Sequence, residues 1–151
     1  VSYAVRPDGP LDQGDILRHV WTIRKTPASA DEPVERKQTA VCVVSHGCDI
    51  DKPSDSVKRT DTVLVACVFL ISAVDKGFQG VIRHNRVINA FYLPSGGYLP
   101  EDCFVDWRTV QPVDKAALLS ARGGDAYVCT VVGDLLAAMG EHYWGFLFRP
   151  Q

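Results

Sequence analysis

The stretch Thr39-Ala-Val-Cys-Val-Val-Ser-His-Gly-Cys-Asp-Ile50 ends in four side chains that could do chemistry: Ser45, His46, Cys48 and Asp49. An imidazole that titrates near neutral pH suits general acid–base work. A thiol beside an imidazole can be activated as a nucleophile. The same residues, with a fourth donor such as His84, could hold a metal, although the spacing is not that of a standard zinc site. The plainer reading is a turn, in which Gly47 and Asp49 reverse the chain and the Asp49 carboxylate accepts backbone N–H groups. His46 and Cys48 share one strand end, so only tertiary placement decides whether they meet. The candidate catalytic set is therefore His46, Cys48 and Asp49, with no metal and no cofactor expected.

A second set is cationic. Arg83, His84 and Arg86 form the densest basic cluster, and Arg108 stands apart on a later strand-like run. Guanidinium groups in a groove can hold phosphates, so Arg83, Arg86 and Arg108 are the candidate phosphate-binding residues. The alternatives are that Arg108 pairs with Asp106 and that residues 83–86 form a solvated face. Trp107 and Tyr98 could stack on a base, although such residues more often sit in a core or on a rim.

These side chains need rigid elements to aim them. Residues 1–12 contain Pro and Gly and read as an irregular arm. Residues 13–24 alternate as a first strand. Residues 25–38 hold Pro27, Pro33 and many charges, and read as a long mobile loop. A second strand covers about 39–46. The third, Thr62–Ile71, is apolar on both faces and should be covered on both sides. Ser72 could cap a short helix reaching about Arg86, weakened by Gly77 and Gly80. Val87–Leu93 and Cys103–Val110 read as the fourth and fifth strands. Asp114 should cap a helix over 115–121. Asp125 should cap a longer one to about His142, with Val128, Val131, Val132, Leu135, Leu136 and Met139 as its stripe. The aromatic tail, Tyr143, Trp144, Phe146 and Phe148, is expected to be buried. Five short strands followed by a helical C-terminal part, 113–142, predict an α+β chain that is mainly β: a small, strongly curved five-stranded barrel with C-terminal helices packed on it.

Bulk properties bound the function. A chain of 151 residues, 46% hydrophobic and 23% charged, fits one domain and excludes wholesale disorder. A net charge of −2 gives no global sign of nucleic-acid binding, though a local basic patch could still provide it. No run of about 18 apolar residues predicts a membrane span, and no basic-then-apolar leader opens the sequence. The five cysteines, 42, 48, 67, 103 and 129, show no CxxC and no regular spacing. Free thiols and a reducing cytoplasm are expected.

The order of these pieces resembles the MazF/PemK toxin family. Gly14-Asp15-Ile16 is similar to its opening Gly-Asp-Ile/Val strand, and residues 25–38 stand where that family has its long first hairpin loop. Ala40-Val-Cys-Val-Val-Ser45 resembles its Pro-x-x-Val-x-Ser strand, and Val63–Val68 its central apolar strand. Arg108-Thr-Val110 resembles its Arg-Thr-Ile/Val signature, and Val113-Asp-Lys-Ala-Ala-Leu118 the helix start that follows, displaced by Gln111-Pro112. The resemblance covers most of residues 13–140. It implies an SH3-like barrel, a homodimer, an antitoxin or other protein partner, and sequence-selective cleavage of single-stranded RNA. Two departures are plain. The position matching the family's catalytic Arg is Thr39, and the position matching its catalytic Thr is Phe69, with Ser72 three residues on.

Three functions follow as expectations. One is a divergent barrel that binds or cleaves single-stranded RNA. Another is a non-catalytic protein-interaction or sensing module on the same barrel. The third is a thiol- or metal-dependent enzyme using His46 and Cys48. A concave groove holding His46 and Arg108 together would favour RNA chemistry, and an exposed apolar patch would favour a protein partner.

Overall fold

The computed structural model describes residues 1–25, 31–45 and 61–149. The strands are β1 (Tyr3–Ala4), β2 (Asp15–Lys25), β3 (Glu35–Val43), β4 (Thr62–Leu70), β5 (Ala90–Leu93), β6 (Cys103–Asp114) and β7 (Tyr127–Val131). The helices are α1 (Lys76–Arg83), α2 (Lys115–Arg122) and α3 (Gly133–Leu147), with a 3-10 turn at Ile71–Ala73. The architecture is mostly β with helices. Among the described residues one antiparallel sheet runs in the order β1-β7-β2-β3-β4-β6-β5 and curls into a half-barrel.

The two-sided apolar pattern of the central strands has a direct cause. Cys42, Ala66 and Val68 face a core completed by Met139 of α3, whereas Val41, Val43, Val63 and Val65 face a second core completed by Leu118 of α2. Both faces of β3 and β4 are therefore covered, which is what a near-continuous apolar strand requires. A third cluster, Ile71, Ile82, Ala90 and Phe104, seats α1. The sheet is also tied across its mouth. The Gln111 side chain accepts from the backbone N–H of Ile23 at 2.7 Å and donates to its C=O at 3.2 Å, so one amide joins β6 to β2 as a peptide group would.

Among the described residues four bulges bend the sheet, one of them at Arg24 of β2, the extra residue between the pairs Ile23–Arg36 and Lys25–Glu35. Arg18 and His19 of β2 stand opposite Ala40 alone, between the pairs Leu17–Val41 and Val20–Thr39. His19 has φ +58°, a left-handed conformation uncommon for a residue with a side chain. Val128 of β7 is the extra residue between Ile16–Cys129 and Leu17–Tyr127. In β6, residues 107–110 stand opposite Ala66 alone, between Cys67–Asp106 and Val65–Gln111. Extra residues of this kind sharpen strand twist and re-aim side chains.

Several expectations need correction. Among the described residues seven strands are present rather than five. The arm 1–12 contains β1, which pairs with β7. The loop expected over 25–38 is shorter, because β3 already begins at Glu35 and pairs with Lys25. The helix expected from Asp125 to His142 is two elements. Tyr127–Val131 is a strand, and α3 starts only at Gly133. Val128, Thr130 and Val131 are β-branched, and cross-strand pairing outweighs the helical stripe they also make. Gly133 has φ +61°, which breaks the chain between strand and helix. The fourth strand begins at Ala90 rather than Val87. Asp114 stands at the N-cap of α2 without a side-chain cap bond, and the helix after Ser72 begins at Lys76 behind Asp75. The aromatic tail divides. Tyr143 packs on Trp107 at 4.8 Å and Phe146 lines the core, but Trp144 and Phe148 are 65% and 62% exposed.

Candidate nucleic-acid interface

An open groove of about 550 Å³ runs between the end of β2, the end of β4 and the first half of β6. Its chemistry comes from two guanidinium groups, Arg24 and Arg108, and two aromatic rings, Phe69 and Phe104. Arg24 arrives there through a bulge: it is the extra residue of β2 between the pairs Ile23–Arg36 and Lys25–Glu35. Its guanidinium lies over the Phe69 ring, 4.7 Å from the centroid, and donates to Thr39 Oγ1 at 3.4 Å. Phe69 in turn contacts Phe104, with centroids 5.7 Å apart.

Arg108 is held by the β6 bulge. Asp106 is buried, and its carboxylate accepts from Arg108 Nε at 3.2 Å, Nη2 at 3.1 Å and the backbone N–H at 3.0 Å. This charge-assisted fork raises the Arg108 pKa above its ordinary value and fixes the head in one orientation. The Arg108 side chain nevertheless remains 69% exposed. Thr109 secures the bulge: its hydroxyl accepts from the Cys67 N–H at 2.7 Å and donates to the Asp106 C=O at 2.6 Å. The expected Arg108–Asp106 pair is thus present, and it aims the cation at solvent instead of burying it.

The other candidates fall elsewhere. Arg83 pairs with Asp102 at 3.2 Å. The Ser95 N–H bond, with Arg83 and Tyr92 adding to it, holds the Asp102 pKa at about 2. His84 Nδ1 contacts the Gly80 C=O at 2.7 Å. Neither Arg83 nor Arg86 lines the groove. Tyr98 is exposed on a separate turn, and Trp107 is core, with its indole N–H donating to His142 Nδ1 at 2.8 Å. His46, Cys48 and Asp49 lie outside the described residues. Ser45, the last described residue before them, accepts from the Leu64 N–H at 2.8 Å. It stands five residues beyond Ala40, roughly 16 Å along an extended strand.

The four described cysteines, 42, 67, 103 and 129, are free and buried. Burial pushes the Cys103 and Cys129 thiols up to about 11, and raises Cys42 as well, so these three are poor nucleophiles at neutral pH. Among the described residues no group of three or more His, Cys, Asp or Glu could hold a metal ion, and no helix is long and apolar enough to cross a membrane.

Sequence reasoning missed Arg24, Phe69, Phe104 and Thr109 as groove residues. Arg24 had no usable signal, because a bulge at a strand end leaves no mark in the sequence. The aromatic pair had none, because Phe in an apolar strand reads as core. No protein-family model and no curated protein matches the chain.

Proposed function

We propose that this chain is a divergent MazF/PemK-like SH3-like barrel that binds single-stranded RNA in the Arg24–Arg108 groove. The observation that carries the reading is the position of Arg24. Its guanidinium stands between Thr39 and Phe69, the two positions that the family resemblance gives to catalytic Arg and Thr. A cation absent from β3 is thus supplied from β2. Two guanidinium groups beside two aromatic faces match what a flexible single strand offers, phosphates and π-faces. RNA cleavage further requires an acceptor for the 2′-hydroxyl proton. In this reading that role falls to His46, flanked by Cys48 and Asp49. Free, buried thiols suit a cytoplasmic setting.

The test is incubation of purified protein with mixed single-stranded RNA, with and without chelator, beside Arg24→Ala and His46→Ala. Binding lost in Arg24→Ala supports the groove. Cleavage lost in His46→Ala, with binding retained, assigns the proton transfer. Cleavage unchanged in His46→Ala removes that residue from the mechanism, and cleavage lost on chelation moves the chemistry to a metal.

A second reading, a protein-interaction module on the same barrel, has its own observation. Trp144, Leu147 and Phe148 at the end of α3 are all more than half exposed, and Trp144 and Phe148 stack at 4.3 Å. Contiguous exposed apolar groups mark contact surfaces, and a homodimer or an antitoxin would cover them. A Trp144→Ala/Phe148→Ala variant that changes the oligomeric mass in solution supports this reading; an unchanged mass at all concentrations opposes the homodimer.

A further inference from the structure

Beside the groove lies a more enclosed slot of about 190 Å³. Phe69 and Leu70 line both, so one wall separates them. The slot is mostly apolar, lined by Ile16, Ala40, Val68 and Cys103 among others, and it carries two charged residues, Arg18 and Glu101. Two of the four bulges converge on it. Arg18 belongs to the β2 bulge opposite Ala40, next to His19 at φ +58°, and Val128 is the extra residue of β7. Bulges and left-handed non-glycine residues concentrate at binding sites, where they re-aim side chains. Neither the Arg18 guanidinium nor the Glu101 carboxylate has a hydrogen-bond or ion-pair partner among the described residues, although the other acidic and basic groups around the groove are paired. A donor and an acceptor of opposite charge are therefore free around an apolar slot one wall away from a cationic groove.

We propose that this slot receives one unstacked base of the RNA strand held in the groove, and that Arg18 and Glu101 select a base bearing both an exocyclic amino group and a ring carbonyl: cytosine or guanine. The inference rests on the RNA-binding reading above. A volume of about 190 Å³ corresponds to about six waters of the liquid, room for a planar ring and too little for a drug-sized ligand. Apolar walls suit the faces of the ring. The carboxylate accepts from the amino group and the guanidinium donates to the carbonyl, the pairings that Glu and Arg make with cytosine and guanine edges. Uracil has no amino group for Glu101, and adenine has no carbonyl for Arg18.

The test uses fluorescence anisotropy with short single-stranded RNAs, all uracil, all adenine, or uracil with one central cytosine or guanine. The wild-type chain is expected to bind one of the substituted strands about tenfold more tightly than either homopolymer, the scale of one good bidentate base contact. Glu101→Ala removes an exposed side chain, so its fold should be undisturbed, and it is expected to abolish the preference while leaving homopolymer affinity unchanged. Ala40→Leu fills the slot and should do the same. Free cytidine or guanosine as competitor distinguishes a site for a lone nucleoside from one that needs the strand. Equal affinity for all strands in wild type, or a preference that survives Glu101→Ala, overturns the slot while the groove stands. Failure of every strand to bind overturns both.

Discussion

The most exposing test of the fold is the one buried ion pair among the described residues. Asp15 and Arg122 are 0% and 4% exposed. One Asp15 oxygen accepts from Arg122 Nε at 2.9 Å and the Asp12 N–H at 2.8 Å, and the other accepts from the Thr130 hydroxyl at 2.6 Å. The guanidinium also donates to the Arg6 C=O and lies 3.6 Å over the Tyr127 ring, while Nη1 has no partner among the described residues. The pair therefore joins the N-terminal arm, β2, β7 and α2. Asp15→Ala leaves a buried guanidinium without its counter-charge and strips Thr130 and Asp12 of an acceptor. Loss of one partner of a buried pair costs about 3–5 kcal/mol. For a chain of this length that is a fall in Tm of roughly 6–20 °C. Replacing both partners, Asp15→Leu with Arg122→Met, removes the stranded charge and should recover much of the loss, short of about 1–2 kcal/mol for the orphaned donors. Urea unfolding followed by tryptophan fluorescence measures all three chains. Asp15→Ala within about 1 kcal/mol of wild type, or a double variant no more stable than Asp15→Ala, refutes the reasoning.

Three further outcomes are expected. Burial lowers the His142 pKa from its ordinary 6.5, so below that value the unfolded chain takes up the proton first. Stability should be full above about pH 6.5 and fall as the pH drops through the lowered folded value. His142→Phe should flatten that part of the urea midpoint against pH. Gly14 has φ +89°, and an added Cβ would stand 2.6 Å from the Val131 oxygen, so Gly14→Ala should cost about 1–3 kcal/mol in the same assay. Cys42, Cys67, Cys103 and Cys129 are buried, so a thiol reagent at pH 8 should label them only after unfolding.

Much of the sheet was legible because period-2 patterning survives wherever one face is buried. The apolar run of β4 announced cover on both faces, and α2 and α3 provide it. The misreading at 127–131 has a physical reason. Val128 and Val131 fit both a helical and a strand period, and only the partners on β1 and β2 decide between them. Those partners are more than a hundred residues away in sequence. The candidate site was legible in part. Arg108 and its tie to Asp106 followed from an i, i+2 spacing on one strand. Arg24 was adjacent to what read as loop, and its distance from Phe69 is a product of sheet curvature. The bulges that shape the groove and slot insert residues without leaving a mark in composition.

The central claim is that Arg24 and Arg108 hold the phosphates of one RNA strand. The direct measurement is the salt dependence of single-stranded RNA binding by fluorescence anisotropy, for wild type, Arg24→Ala, Arg108→Ala and, as comparator, Arg36→Ala, which lines a different hollow. Each groove variant should weaken binding and lower the slope of log K against log salt by about 0.7, one phosphate contact on a single strand, while Arg36→Ala leaves both unchanged. A slope unaltered in both groove variants, or no binding by the wild-type chain, contradicts it.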